Sequence, residues 1–244
     1  MRNIFVLLKK ELRSYFQTPI AYVFLIIFLF LNGIFTFYVG DFFTRGQADL
    51  IPFFSFHPWL YMIFVPAITM RVWAEERKSG TIELLFTLPI TSLEAVVSKF
   101  LAAWIFLFIA LLLTLPIWLS VYYLGTPDNG IILASYIGSI MMAGAFLAIG
   151  TCISAFTKNQ VVAFVITLVI CLLFNMSGFP LVLDGLSNWL PTRLIETISN
   201  FSFLTNFDAI TKGLIEFTSI VYFSTIILCG LFANMIVIEI KKAD

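Results

Sequence analysis

The chain has 244 residues and a formal net charge of zero, and its composition is 61% hydrophobic and 11% charged. Soluble domains average about 45–50% apolar and about 25% charged residues. This composition excludes a water-soluble fold and, with six long apolar stretches, leaves no room for a soluble catalytic domain.

Six stretches of at least 21 residues contain no Asp, Glu, Lys or Arg; they are 14–40, 50–70, 100–127, 129–157, 159–183 and 217–238. A helix of about 20 apolar residues crosses the hydrocarbon layer of a bilayer. Barrel strands would alternate polar and apolar residues, and residues 23–31 (VFLIIFLFL) do not. We therefore predict one all-α integral membrane domain, residues 1–244, with six transmembrane helices at 20–39, 56–73, 100–124, 132–156, 160–178 and 219–238.

Residues 1–17 precede the first predicted span. Apolar side chains recur on one helical face, and Lys9, Lys10 and Arg13 lie elsewhere on the helix. This pattern predicts a basic amphipathic helix at the membrane interface. It could be an anchor beside anionic lipid or a platform for a cytoplasmic partner.

His57 lies at the outer end of the second predicted span, next to Pro58 and Trp59. Because Trp and Tyr favour the membrane interface, we expect His57 to be an interfacial residue and not a ligand.

Residues 71–99 form the longest predicted inner segment, and they contain a short candidate helix at 79–89. Ser79 and Gly80 permit a turn, Thr81 can cap the helix, and Glu83 lies in its first turn, where a carboxylate is favourable. Its apolar edge consists of Leu84, Leu85 and Leu88. Such a helix fits the groove of a partner protein, but it could equally pack under the bundle.

The fourth predicted span is rich in small residues, namely Ala134, Gly138, Ala143, Gly144, Ala148 and Gly150. Small residues spaced four apart let membrane helices approach closely. We expect tight packing within the bundle, with a dimer contact as the alternative.

Residues 181–216 are too apolar for a solvated loop. Pro191, Asn200 and Gly213 would divide them into two short helices. We predict a re-entrant helical pair that dips back into the outer membrane surface.

The polar residues inside the predicted spans include Asn32, Thr114, Asn175 and Asn234. They could form hydrogen bonds between helices, which we favour, or a transport site. Cys152, Cys171 and Cys229 are dispersed in spans without CxxC spacing, so we expect neither a disulfide framework nor a metal site.

The basic residues indicate the orientation. With six spans, eleven of the fourteen Lys and Arg residues lie on the side that holds both termini. Lys and Arg accumulate in cytoplasmic loops, so both termini are predicted to be cytoplasmic. The first apolar stretch is too long for a cleavable signal peptide.

No catalytic motif is present in the sequence: it contains no HExxH, no GxSxG and no GxxxxGK[ST]. We expect no catalytic residue, and an intramembrane enzyme is a weak hypothesis. Without a P-loop the chain cannot bind and hydrolyse ATP in the usual way. An energised transport process would need a separate ATPase subunit.

Three segments resemble one family. Residues 75–90 (EERKSGTIELLFTLPI) closely resemble the inner-loop signature of ABC-2 type transporter permeases. Residues 9–22 (KKELRSYFQTPIAY) and 202–215 (SFLTNFDAITKGLI) resemble the opening of these permeases and the stretch before their last span. Within the class the chain is most similar to the gliding-motility permease of Bacteroidetes, and it also resembles the permease of copper-processing nitrous-oxide reductase clusters.

The resemblance implies an exporter permease, which couples ATP hydrolysis on a separate subunit to translocation. The coupling helix would be carried by Gly80, Thr81, Glu83, Leu84 and Leu85, flanked by Glu75, Glu76 and Arg77. An outer gate segment would contain Asn206, Phe207, Lys212 and Gly213. The alternative is a membrane scaffold that anchors a motility or assembly complex without transporting anything.

The resemblance also implies the partners and the location. The chain itself would hold no cofactor, and ATP and Mg would bind to two copies of the ATP-binding subunit. A second permease, or a larger auxiliary membrane subunit, would complete the complex. We expect a multi-pass protein of the bacterial plasma membrane and no nucleic-acid partner.

Overall fold

The structure is a computed structural model that describes residues 2–87, 89–187, 189–213 and 217–242. These residues form helices and contain no strand. The predicted all-α fold is therefore confirmed.

The helices follow one another with short connections. In chain order they are α1 (Arg2–Gln17), α2 (Pro19–Ile34), a π-helix (Phe35–Val39), α3 (Ile51–Ser55), α4 (His57–Thr69), α5 (Ala74–Ser79), α6 (Thr81–Thr87), α7 (Ser92–Leu112), α8 (Pro116–Val121), α9 (Asn129–Phe156), α10 (Gln160–Met176), α11 (Pro180–Ser187), α12 (Thr192–Asn200), α13 (Phe203–Thr211) and α14 (Phe217–Lys242).

Four helical segments among the described residues are long and apolar enough to cross a membrane; they are Pro19–Val39, Ser92–Val121, Asn129–Phe156 and Phe217–Lys241. A fifth results if α10 and α11 count as one span bent by 71°. The chain is therefore a multi-pass membrane protein.

The other two predicted spans are not long continuous helices, so the count of six is not confirmed. In the region 56–73, α4 has only 13 residues, which gives a length of about 20 Å against a hydrocarbon thickness of about 30 Å. Pro66 lies inside α4, and the chain turns directly after Thr69. In the region 160–178, α10 ends at Met176 and the chain bends before Pro180.

The helix α9 is the centre of the bundle, and it packs against α4, α7, α10, α13 and α14. Its small residues create the room. A Cβ atom added at Gly150 would lie 2.3 Å from the Thr69 hydroxyl oxygen of α4, and one at Gly138 would lie 2.9 Å from the Ile210 side chain of α13. The small residues of α9 thus serve packing within the bundle.

The first and last helices meet at one end of the bundle. Leu7 of α1 belongs to the same buried cluster as Val237 and Ile238 of α14. The cluster also contains Trp73 and Leu85 from the segment between α4 and α7. This end of the molecule, which we call the α1 end, therefore carries both terminal helices together with α5 and α6.

Some buried polar side chains link neighbouring helices. The Asn175 side-chain amide of α10 donates a hydrogen bond of 3.1 Å to the Pro58 carbonyl of α4. The Asn32 amide instead donates to Phe28 within its own helix. Asn234 is buried, and neither atom of its amide has a hydrogen-bond partner among the described residues. The expected bonding between helices thus holds for Asn175 and for Thr114, whose hydroxyl lies 3.3 Å from the Tyr136 hydroxyl of α9, and not for Asn32 or Asn234.

His57 is fully buried, contrary to the expected interfacial position. Its Nδ1 lies 2.9 Å from the Ser139 hydroxyl of α9, which also lies 2.8 Å from the Tyr61 hydroxyl. The aromatic rings of Phe53 and Phe54 enclose the imidazole. Trp59, the neighbour that suggested an interface, packs instead against Phe179, and the two rings that enclose the imidazole come from residues that precede His57.

The described part of 181–216 contains α11, α12 and α13, three helices where the sequence predicted two. The third helix forms because Ser202, after the break at Asn200, accepts hydrogen bonds from the Leu204 and Thr205 amides as an N-cap. Residues 188 and 214–216 lie outside the described residues.

Replacing Gly150 by Val should destabilise the bundle by about 1–3 kcal/mol, because the new side chain overpacks the contact with Thr69. The midpoint of thermal unfolding of the purified protein in detergent micelles measures the effect. The matched control is Gly33→Val, since no atom lies within 4 Å of a Cβ built at that position. Equal midpoints for the two variants would contradict the close approach of α4 and α9.

Candidate functional site

The α5–α6 pair lies at the α1 end, and many of its residues are exposed. Between the two helices Gly80 has a φ of 73°, in the left-handed region that glycine adopts most easily. A Cβ atom built at Gly80 would meet no atom within 4 Å. The requirement for glycine at this turn is therefore conformational and does not come from close packing.

The start of α5 is fixed to the end of α9 by one side chain. The Ser154 hydroxyl accepts hydrogen bonds from the backbone amides of Trp73 (3.1 Å) and Ala74 (3.2 Å) and donates one to the Met70 carbonyl (3.3 Å). It thereby satisfies amides that the beginning of a helix leaves free. Arg77 adds a hydrogen bond to the Ala155 carbonyl.

A buried lysine joins α1, α5 and α7. Lys99 of α7 is 5% exposed, and its Nζ lies 2.7 Å from Glu76 Oε1 and 3.3 Å from Glu11 Oε1. The same nitrogen lies 5.1 Å from the centre of the Trp73 ring, within the range of a cation–π interaction. Because a buried charge without partners is costly, the three elements are held in one arrangement.

The helix α6 has a packed face and a free face. Leu85 is 7% exposed and belongs to the cluster that contains Val72 and Trp73, whereas Leu84 is 68% exposed and Glu83 is also exposed. The helix therefore packs under the bundle on one face, and on the other face it leaves an apolar and an acidic side chain exposed. Leu88, the third apolar residue of the predicted edge, lies outside the described residues.

The boundaries of the predicted helix 79–89 differ from those in the structure. Ser79 ends α5, and α6 covers only Thr81–Thr87, so the left-handed Gly80 separates the two helices. The Thr81 hydroxyl lies 2.9 Å from the Ser79 hydroxyl. Thr81 is thus the first residue of the helix and not the residue before it.

The structure places the predicted outer residues apart from this site, on α13 and just after it. Phe207 is 2% exposed, and its ring lies 6.4 Å from that of Phe54. Asn206 donates hydrogen bonds to the Asn200 and Ser202 carbonyls and so stabilises the turn before α13.

The last two predicted outer residues follow the end of α13. Lys212 forms an exposed ion pair of 2.5 Å with Asp208. Gly213 has a φ of 83°. Of the four predicted outer residues, only Phe207 is buried in the core, and the side chain of Lys212 is exposed.

Lys99, Glu11 and Ser154 were missed as site residues by the sequence analysis. Lys99 contributed only to the count of basic residues. Residues 11, 76 and 99 share no motif or helical spacing, so only the packing of α1 against α7 brings them together. The one available signal for this cluster was the position of Lys99 directly before a long apolar stretch. A charged side chain at the edge of a membrane span requires a partner.

Comparison with protein-family models finds a match over almost the whole chain. A model of the family described as "ABC-2 family transporter protein" matches residues 5–239. No curated protein matches the chain.

Replacing Lys99 by Met should destabilise the protein by on the order of 3 kcal/mol, because Glu11 and Glu76 lose their shared cation in a largely buried site. Thermal unfolding in detergent measures the loss. The exposed Lys78→Met variant serves as the control and should unfold like the wild type.

A triple variant separates charge from packing. Lys99→Met combined with Glu11→Gln and Glu76→Gln should recover part of the lost stability, because no unpaired charge remains. If the triple variant unfolds at the same temperature as the single one, the ion cluster does not hold α1, α5 and α7 together.

Proposed function

Because the chain belongs to the ABC-2 family of transporter proteins, we propose that it is the membrane-spanning permease subunit of an ATP-driven exporter. Members of this family are membrane transport components and usually work with an ATP-binding subunit. The observation that carries the proposal is the α5–α6 pair: α6 has an exposed face, and α5 is bonded to α9 through Ser154 and to α7 and α1 through Lys99.

The contact with the ATPase is proposed to centre on the free face of α6. Leu84 would enter an apolar cleft of the ATP-binding subunit, and Glu83 would meet a basic group at its edge. A short helix that presents an apolar side chain to a groove is a common mode of recognition. Glu75, Glu76 and Arg77 on α5 would flank this contact, with Gly80, Thr81 and Leu85 shaping and supporting the helix.

The bonds around α5 provide the proposed path for force. ATP binding would draw the two ATPase subunits together and displace α6. Since Ser154 ties α5 to α9 and Lys99 ties it to α7 and α1, a displacement of α5 also moves those helices. Coupling of this kind travels through packed, rigid elements. The α11–α13 segment would respond as the outer gate.

The predicted spans carry no charged residue at their centres. Substrate selection would therefore depend on aliphatic and aromatic walls. ATP and Mg would bind only to the partner ATPase, which we propose is present in two copies beside a second permease or an auxiliary membrane subunit.

The α1 end is proposed to face the cytoplasm of a bacterium. Two observations support this orientation: α1 and the end of α14 share one buried cluster, and most Lys and Arg residues belong to segments predicted on that side. Within the family we propose the gliding-motility type. This proposal rests on the amino-acid sequences of residues 9–22 and 75–90. Neighbouring gliding genes would support that type, and copper-processing genes would favour the nitrous-oxide reductase type.

Replacing Leu84 by Asp should abolish co-purification of the ATP-binding subunit, because a carboxylate would be buried in an apolar cleft. The measurement is the amount of ATPase retained on the affinity-tagged permease. Leu84→Met is the matched control and should retain the partner. Since Leu84 is exposed, both variants should unfold at the wild-type temperature. Unchanged retention with Leu84→Asp would remove the coupling role of α6.

The orientation can be tested by cysteine labelling. In a chain with Cys152, Cys171 and Cys229 replaced by Ser, Leu84→Cys should react with a membrane-impermeant maleimide in inverted vesicles and not in intact spheroplasts. Lys212→Cys should show the opposite pattern, because Lys212 is exposed and its segment is predicted on the other side of the membrane. Labelling of Leu84→Cys in intact spheroplasts would overturn the proposed orientation.

A further inference from the structure

A second feature of the α1 end is a cavity of about 290 Å³ beside the lysine cluster. Its walls come from α1, from the turn between α4 and α5, from α5 and from α7; they include Tyr15, Thr18, Arg71 and Glu75. The volume is far above the roughly 10–15 Å³ that one water molecule needs. The cavity can therefore hold a group much larger than water.

The charges on the cavity wall are only partly matched. Lys99 neutralises Glu11 and one oxygen of Glu76. Arg71 forms no side-chain hydrogen bond or ion pair with any residue that the structure describes, and its Nε is fully buried. The second carboxylate oxygen of Glu76 is likewise buried without a partner. Polar atoms that are buried without a hydrogen-bond partner are costly.

The unpaired groups of the cavity wall include both a positive and a negative charge. Arg71 supplies an unpaired cation, and Glu75 supplies a carboxylate that forms no ion pair among the described residues. A simple anion would satisfy Arg71 and leave the carboxylates unmatched, and a metal cation would do the reverse. The chemistry that satisfies both is a single group that carries a phosphate and an ammonium a few atoms apart.

The cavity lies near the end of a candidate membrane span, where groups that carry a phosphate and an ammonium are abundant. Tyr15 and Thr18 lie at the end of α1, directly before Pro19 begins a candidate span, and Arg71 follows the end of α4. These positions correspond to the headgroup layer of the bilayer, where cationic side chains meet lipid phosphates. The exposed apolar face of the first span adjoins this layer and gives the acyl chains a surface to follow.

We propose that this cavity binds the headgroup of a zwitterionic phospholipid with a primary amine, such as phosphatidylethanolamine. Its phosphate accepts hydrogen bonds from Arg71, and its ammonium donates to Glu75 and to the free oxygen of Glu76. The lipid bridges α1 and the α4–α5 turn, next to the lysine cluster. It is a structural ligand of the permease chain and is distinct from any transported cargo.

The test measures lipid binding to the purified full-length chain, without an ATPase, by native mass spectrometry and thermal unfolding in detergent. Phosphatidylethanolamine and phosphatidylglycerol with identical acyl chains are titrated. Ligands that bind only the folded state raise the unfolding midpoint. The wild type should retain the ethanolamine lipid about tenfold better than the glycerol lipid, as expected for one extra charge-assisted hydrogen bond.

Two variants assign the two ends of the headgroup. Arg71→Gln should weaken binding of both lipids by about tenfold, because the phosphate loses its cation. Glu75→Gln should reduce the preference for the ethanolamine lipid, because Glu76 alone then accepts from the ammonium, and it should leave binding of the glycerol lipid unchanged. Glu75 is exposed, so this variant keeps the fold even if Arg71→Gln is unstable. Lys78→Gln, outside the cavity, is the control and should bind like the wild type.

Three results would overturn the proposal: equal binding of the two lipids to the wild type, an unchanged preference in Glu75→Gln, or full binding of both lipids by a folded Arg71→Gln. Soluble phosphoethanolamine tests the source of the ligand. If it raises the unfolding midpoint as strongly as the lipid does at equal concentration, the site binds a free metabolite and not a membrane lipid. Because no ATPase is present, none of these outcomes bears on the coupling role of α6.

Discussion

The close approach of helices to α9 is the constraint on which the rest of the fold depends. Lipid tails are as apolar as leucine, so membrane helices associate through van der Waals packing and not through the hydrophobic effect. Glycines at 138, 144 and 150 let side chains from four other helices reach the backbone of α9. The start of α5 is also fixed to α9, because its first turn is bonded to Ser154 near the end of α9.

The charged cluster at the α1 end depends on that packing. Lys99 lies a few residues inside a candidate span, where an isolated ammonium would be unfavourable. Glu11 and Glu76 stabilise it from two other elements, and Trp73 covers it. As a result, a segment that could have been a flexible loop is attached to the helices that cross the bilayer. This attachment gives the α5–α6 pair the mechanical connection that a coupling element requires.

Amino-acid composition and apolar runs were sufficient to predict an all-helical membrane protein, because about 20 uncharged residues in a row have no stable alternative to a helix in lipid. The small residues of α9 predicted close packing for a similar reason, since glycine leaves a gap that a neighbour fills. The resemblance of three short segments indicated the family that residues 5–239 match. The pattern of Leu84 and Leu85 also indicated a short helix with an apolar edge, although not which leucine is buried.

The local sequence pattern predicted little about a residue whose contacts are with residues distant in the chain. His57 resembles an interfacial residue in the sequence, yet Ser139 and the rings around it place it in the core. Likewise, residues 11, 76 and 99 meet because α1 lies against α7, and no spacing in the sequence encodes that contact. Whether a segment lies in lipid depends on its own apolar residues, so it can be predicted from the sequence of that segment. The pairing of charges and the exposure of α6 depend on how helices pack, and three-dimensional packing alone settles them.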